Sequence, residues 1–196
     1  MLYIATLDEI KKALGITDNA DNDVLFRHLV GLQGRFDQFC RRRFLYGAAD
    51  ELFDGDVTAI QLARWPVDVL AVAYENLNQE WISGNVVTAD KYRVNKARGL
   101  VYWELQGQVR WPAGMQNIRV VYTGGFVKST GVVAPGVDEA DLESLRRAFF
   151  MQAEFEWRNR KNLGNSSISA SGVNISLAPA KFLPDVESVL SGFARI

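Results

Sequence analysis

The hydrophobic period of this chain changes twice, and that change constrains the fold more than any motif does. Up to about Arg43, and again from about Asp138, apolar residues recur every three or four positions, the spacing of one helix face. Between these stretches lie short runs rich in Val, Ile, Tyr and Trp: "ELFDGD", "TAIQLARWPV", "DVLAVAYENL", "EWISG", "KYRVNKARGLVYWE" and "NIRVVYTGGF". Turn residues punctuate them at Asp54-Gly55, Pro66, Ser83-Gly84, Arg98-Gly99 and Gly124-Gly125. Helices at both ends and about five or six strands between them predict an α+β fold. The expected architecture is a helical bundle of about four helices with an inserted antiparallel β subdomain and an extended C-terminal segment. The divisions fall at residues 1–49 (N-terminal part of the bundle), 50–128 (β subdomain), 129–163 (the long helix completing the bundle) and 164–196 (flexible segment and C-terminal helix). A chain of 196 residues is long enough to build a core plus an inserted subdomain.

Local signals set the element boundaries. In "TLDEIKKALGI", Thr6 and Glu9 make a capping box and Gly15 is placed to end the helix. A longer helix is expected from about Asp23 to Arg43, with Val24, Leu25, Leu29, Leu32, Phe36, Phe39 and Cys40 on its apolar face. Gly31 and Gly34 each weaken it by about 1 kcal/mol relative to Ala, and close approach of another helix would explain them. "RVNKARGLVYW" reads as a hairpin with its loop at Asn95–Gly99, and "VDVLAVAY", apolar at nearly every position, as a strand covered on both faces. Asp138 caps the next helix, whose Leu142, Leu145, Ala148, Phe149, Gln152 and Phe155 share a side and for which Gly164 is a reasonable stop. In "NLGNSSISASGVNISLAPA", five serines and two glycines suggest mobility, yet Val173, Ile175 and Leu177 alternate as in a strand. "LPDVESVLSGFARI" closes the chain as a short helix with Pro184 in its first turn and Val186, Val189, Leu190 and Phe193 on one face.

Charge excludes several function classes. The net charge is -1, and residues 1–49, 50–128 and 129–196 carry 7 and 6, 8 and 9, and 7 and 8 basic and acidic side chains respectively. No segment has the basic surplus that neutralising phosphates requires, which argues against DNA binding by charge. No run of 18 apolar residues occurs, so no membrane span is expected, and the N-terminus lacks the pattern of a signal peptide. A single cysteine, Cys40, cannot form an internal disulfide, which fits assembly in a reducing cytoplasm.

Catalytic constellations are missing as well. His28, the only histidine, lies twelve positions from Cys40 on the same expected helix, about 18 Å away at the α-helical rise, too far for a nucleophile–base dyad. One Cys and one His are too few for a zinc site, "DNADND" lacks the spacing of a calcium loop, and "YTGGF" is not a phosphate loop. Cys40 reads as a small buried hydrophobe. Asp54 and Asp56 could serve as an acid–base pair or metal site, but a tight turn opening a hairpin accounts for them equally well. No cofactor is expected. The triplet Arg41, Arg42 and Arg43 reads as the end of a helix, where cations meet the carbonyl dipole, with a subunit contact as the second reading.

Taken in order, "TLDEIKKALGI", "DNADND", "FCRRRF", "LFDGD", "LARWPVDVLAVAYEN", "GLVYW", "VRWPAGMQNIRVVYTGGF" and the closing "LPDVESVLSGFARI" resemble the tailed-bacteriophage head–tail connector (adaptor) family, gp6-like. The resemblance spans nearly the whole chain and rests on the order of its motifs. The long serine-rich segment and the large β subdomain depart from the all-helical members. The family resemblance implies a structural virion protein with no active site, located at the head–tail junction and assembled in the host cytoplasm. It implies a homo-oligomeric ring, typically a dodecamer, beneath the portal protein. That ring would join the DNA-filled head to a head-closure or tail-terminator protein, with double-stranded DNA passing through its lumen without sequence-specific binding. Alternatives are another head-completion, stopper or tail-completion protein, or a small carboxylate-dependent enzyme built on Asp54 and Asp56. On the connector reading, Gly172 to Leu177 gains order by adding a strand to a neighbour or to the portal. Val173, Ile175, Leu177, Phe182, Leu183, Val189, Leu190, Phe193 and Ile196 are the expected portal or neighbour contacts, and Arg41, Arg42 and Arg43 the expected subunit contacts.

Overall fold

A computed structural model describes residues 2, 4–76, 78–104, 110–129, 131–160, 167–170, 173–176 and 182–195. The chain is α+β, with four α-helices and antiparallel sheets among the described residues, and divides into two compact units. One is helical and comprises residues 1–40 and 143–194; the other is built on sheets and comprises residues 41–142 with 195–196.

The helical unit begins with α1 (Leu7–Leu14). The Thr6 hydroxyl accepts the Glu9 N–H at 3.2 Å while the Glu9 carboxylate accepts the Thr6 N–H at 2.7 Å, so the capping box forms as expected. Gly15 ends the helix in the left-handed region at φ 70°. The segment before α1 is pinned twice: Ile4 N–H donates to Gln33 Oε1, and Arg146 Nε donates to Ile4 O.

The second helix, α2 (Asn22–Cys40), ends three residues earlier than expected, because Arg41 turns out of the helix at φ 49°. Leu25, Leu29, Leu32, Phe36 and Cys40 are buried along it, as the spacing requires. Val24 is not part of that face and is 58% exposed. Nor does another helix of this unit approach Gly31 or Gly34, where an added Cβ would meet nothing within 4 Å. Nothing in the structure explains those two glycines.

The third helix, α3 (Glu139–Arg158), is capped by Asp138, whose carboxylate accepts the Ala140 N–H at 2.9 Å. It buries Leu142, Leu145, Ala148, Phe149 and Gln152 as expected, and Ala153 besides, but Phe155 is 41% exposed and Glu156 and Trp157 take the inner positions. The last helix, α4 (Pro184–Gly192), begins with Pro184 in its first turn and buries Val186 and Leu190. Phe36 meets Phe149 and Phe182 edge-on at 5.5 and 5.3 Å, and the Cys40 thiol donates to Leu190 O at 3.4 Å. Each fully buried large apolar side chain contributes about 1.5–3 kcal/mol, so this aromatic seam holds the unit together.

The second unit has six strands in two three-stranded sheets. In the first, β1 (Gly47–Phe53) and β3 (Val67–Glu75) flank β6 (Ile118–Gly124), both antiparallel to it. In the second, β2 (Ala59–Gln61) and β4 (Tyr92–Asn95) flank β5 (Leu100–Trp103). The β4–β5 pair is the hairpin read from "RVNKARGLVYW". Inward residues of both sheets share one core: Ile60, Val101 and Trp103 from one, and Ile118, Val120, Tyr122 and Ala73 from the other, with the Trp111 ring tilted against Trp103 at 4.8 Å.

Two expectations fail here for identifiable reasons. Strand β3 is not covered on both faces: it is an edge strand, and its Val69 is 53% exposed. Register shifts between Val67 and Val69 and between Leu70 and Val72 break the two-residue alternation, so its apolar run does not report burial on two faces. The Asp54-Gly55 turn is not a hairpin turn, since β1 and β2 belong to different sheets. It is a crossover held against the 110–117 loop, where Gly55 N–H donates to Gly114 O and Asp56 N–H to Trp111 O.

A separate hairpin of β7 (Ser167–Ala170) and β8 (Val173–Ser176) pairs Ile168 with Ile175 and Ala170 with Val173.

Candidate functional site

The arginine triplet divides three ways. Arg41 is exposed in its left-handed turn. Arg42 is only 3% exposed and lies in an aromatic cage. Its guanidinium carbon stands 3.7 Å from the Trp65 ring centroid, 4.7 Å from Phe44 and 5.3 Å from Phe126, and the group donates to Trp65 O. A desolvated cation over rings gains about 2 kcal/mol or more, so Arg42 braces its own unit. Arg43 donates its backbone N–H to Ala63 O and keeps its side chain exposed. Only Arg41 and Arg43 are left with side-chain surface to offer a neighbour.

The expected C-terminal contact residues also separate. Val173 and Ile175 lie in β8, while Leu177 and Ile196 fall outside the described residues. Leu190 is fully buried in the helical unit. Phe182 is half-buried, edge-on to both Phe36 and Phe39, and the Leu183 N–H donates to Gln152 Oε1 at 2.9 Å. Val189 and Phe193 are half-buried. Val189 lines a groove of about 280 Å³ between α3 and α4, together with Ser144, Arg147, Ala148, Met151 and Asp185. Its lining combines apolar Ala148, Met151 and Val189 with charged Arg147 and Asp185.

The two carboxylates weighed as an acid–base pair both make structural contacts. Asp54 accepts the Gln116 N–H at 2.7 Å, and Asp56 pairs with Arg110 at 3.0 Å. Both are exposed, and both clamp the crossover to the 110–117 loop. Among the described residues no three His, Cys, Asp or Glu side chains converge to hold a metal ion, and no helix is long and apolar enough to cross a membrane.

Two polar features escaped the sequence reading. On the outer side of the first sheet, Arg119 forms a bidentate pair with Asp50 at 2.8 and 2.6 Å, and this hydrogen bonding holds the Asp50 carboxyl below its ordinary pKa. Leu52 and Val69 are exposed on the same sheet. Large apolar residues around a fixed Arg are the composition of many protein interfaces. In the helical unit, the buried Glu156 accepts from Arg35 and from Gln152 (2.7 Å), with His28 Nε2 at 3.3 Å. Arg35 and Glu156 are 121 residues apart, and no local spacing signals that pair.

No protein-family profile matches the chain, and no curated protein does. Solved structures do match. A chain in the neck of an empty gene transfer agent (GTA) particle computed with C6 symmetry is 14% identical, with 98% of this chain and 90% of that one covered at a TM-score of 0.59. A chain in the virion of the native GTA particle matches with the same identity and coverage at a TM-score of 0.62. A third, in the neck of the native GTA particle computed with C12 symmetry, is 14% identical over 100% of this chain and 90% or more of that one (96%), at a TM-score of 0.52. The fold of this chain is therefore that of chains found in GTA particles.

Proposed function

We propose that this chain is a structural neck protein of a phage-like particle, and specifically a head–tail connector (adaptor) that forms a ring beneath the portal. One observation carries the reading: the fold likeness runs end to end, over 98% or more of the chain, to proteins of GTA necks and virions. A likeness of that extent includes both units rather than one common module. That one of those necks was computed with C12 symmetry supports a ring, for which twelve copies is the expected number. Asp54 and Asp56, weighed as an acid–base pair, both clamp a turn, which supports a protein that works by geometry.

On this reading the chain resides at the head–tail junction of the particle, after assembly in the host cytoplasm. The portal lies on one side and a head-closure or tail-terminator protein on the other, and double-stranded DNA passes through the lumen. A charge of -1 suits a lumen that must not retain DNA. Arg41 and Arg43 serve the contact between neighbouring subunits. The segment containing β8 adds a strand to a neighbour or to the portal through its backbone, and Val189 and Phe193 supply apolar surface nearby. Modest contacts repeated around a ring become strong by multivalency.

A stopper or tail-completion protein is the second reading, favoured by the fact that the matched structures are of necks as a whole. Electron microscopy of the purified chain, alone and mixed with portal rings, tests the assignment. The connector reading predicts rings stacked on portal. Binding only to tail components supports the second reading, and a monomer that meets neither refutes both.

A further inference from the structure

Glu156 stands at the centre of a polar chain that crosses the helical unit. One of its oxygens, Oε1, accepts from Arg35 of α2 and from Gln152 one turn earlier on α3. The Gln152 carbonyl in turn accepts the N–H of Leu183, the residue just before α4. The adjoining Phe182 ring sits edge-on to Phe36 and Phe39, with the Arg35 guanidinium 5.1 Å from its centroid. The start of α4 is thus linked to one carboxylate oxygen through Gln152, beside its aromatic packing.

The other oxygen faces the only imidazole in the chain. His28 Nε2 lies 3.3 Å from Glu156 Oε2, is buried, and makes no hydrogen bond among the described residues. Among the described residues the charged groups around it are few. Glu156 is on α3 and Arg35 on the histidine's own helix. Beyond the Trp157 ring, 6.3 Å from the imidazole, Arg160 lies over that ring and pairs with Asp21 at 3.5 Å.

We propose that this cluster is an acid-operated latch on the start of α4. Protonated His28 draws the Glu156 carboxylate through its second oxygen, out of alignment with Gln152, and so releases the Leu183 N–H and the Phe182 ring. Burial holds the imidazole below its ordinary pKa, an effect that Glu156 opposes and Arg35 reinforces, so the latch is closed near neutrality and opens in mild acid. It is a property of the single subunit and does not rest on the neck assignment.

Amide hydrogen exchange on the full chain, corrected for intrinsic rates and run from about pH 7.5 to about pH 5, tests it. Protection of Leu183 and the first turn of α4 is expected to fall about tenfold in acid, while β6 and the middle of α2 stay protected. His28→Gln should remove that pH dependence, and Glu156→Gln should loosen Leu183 already at the neutral end. The imidazole signal, unique in the chain, should titrate over the same range. Protection of Leu183 that ignores pH, the same pH dependence in His28→Gln, or loss shared equally by α2 and α3 would each overturn the latch.

Discussion

A methyl group added at Gly55 would stand 1.7 Å from Pro112 O, whereas one added at Gly31 or Gly34 of α2 meets nothing within 4 Å. The two units differ in the same way in how they hold buried charge. The sheet unit seats Arg42 among Trp65, Phe44 and Phe126, with a backbone carbonyl as acceptor. The helical unit seats Glu156 among Arg35, Gln152 and His28. Backbone closeness and groups that do not titrate fix the first. Side chains from distant parts of the chain, one of them a histidine held below its ordinary pKa, fix the second. Between neutrality and mild acid a unit of the first kind keeps its shape, whereas one of the second kind can be tuned.

The sharpest way to break this comparison is to remove each charge. Glu156→Ala leaves the part-exposed Arg35 and the buried Gln152 without their shared acceptor and should destabilise the helical unit by about 3 kcal/mol. Arg42→Ala empties the cage and should cost the sheet unit about 3 kcal/mol; Arg42→Lys should recover only part of this, because an ammonium cannot stack as a planar guanidinium does. Fluorine NMR of 5-fluorotryptophan-labelled protein during denaturant titration separates the units. Trp157 reports on the helical one, and Trp65, Trp81, Trp103 and Trp111 on the other. If either substitution unfolds both units together, the contrast is lost. Gly55→Ala should follow at about 2 kcal/mol, confined to the sheet unit, because its Cβ displaces backbone rather than a side-chain tip.

Opposite pH limits sharpen the contrast. His28 has a lowered folded pKa, so below about 6.5 the unfolded chain binds the proton first, and the helical unit loses stability as pH falls. Tyr122 has a raised folded pKa, chiefly from burial and then from Glu51, to which its hydroxyl donates at 2.8 Å. Above about pH 10 the unfolded phenol loses its proton while the folded one keeps it, so the sheet unit loses stability as pH rises. Tryptophan-resolved denaturation across the two windows should show acid lowering the midpoint at Trp157 and alkali lowering it at the other four. His28→Gln and Tyr122→Phe should each flatten one limb only.

How each unit is specified also explains what could be read in advance. The sheet unit was legible because turn residues and short apolar runs are local signals: six strands form where five or six were expected, and the hairpin sits where its loop chemistry put it. Its errors, the edge position of β3 and the crossover at Asp54-Gly55, concern which strand pairs with which, and strand pairing is not encoded locally. The capping box, Gly15 and Asp138 were likewise readable as caps. The Glu156 cluster was not, since its members come from three separated stretches and their charges look like a solvated helix face. Phe155 and Val24 were assigned to the core because the 3.6-residue period fixes a stripe without fixing its edges, and Glu156 took the place that Phe155 was expected to hold. Arg42 was taken with its neighbours as a helix end because three identical residues give no sign of which one turns inward.

The smallest expected effect tests the glycines of α2. Both are exposed, lie in the helix interior and have open space where a Cβ would go. In the isolated subunit, Gly31→Ala and Gly34→Ala should each stabilise the helical unit by about 0.5–1 kcal/mol, because Ala gives up less backbone entropy on folding. Thermal or denaturant unfolding followed at Trp157 measures this directly. If both substitutions stabilise the monomer and leave ring formation intact, these glycines are surplus in both settings. If they stabilise the monomer but weaken assembly, backbone closeness governs the helical unit too, supplied by a neighbouring copy rather than by its own core. A loss of monomer stability would instead show that α2 needs these glycines within its own unit, and the contrast with Gly55 would fail.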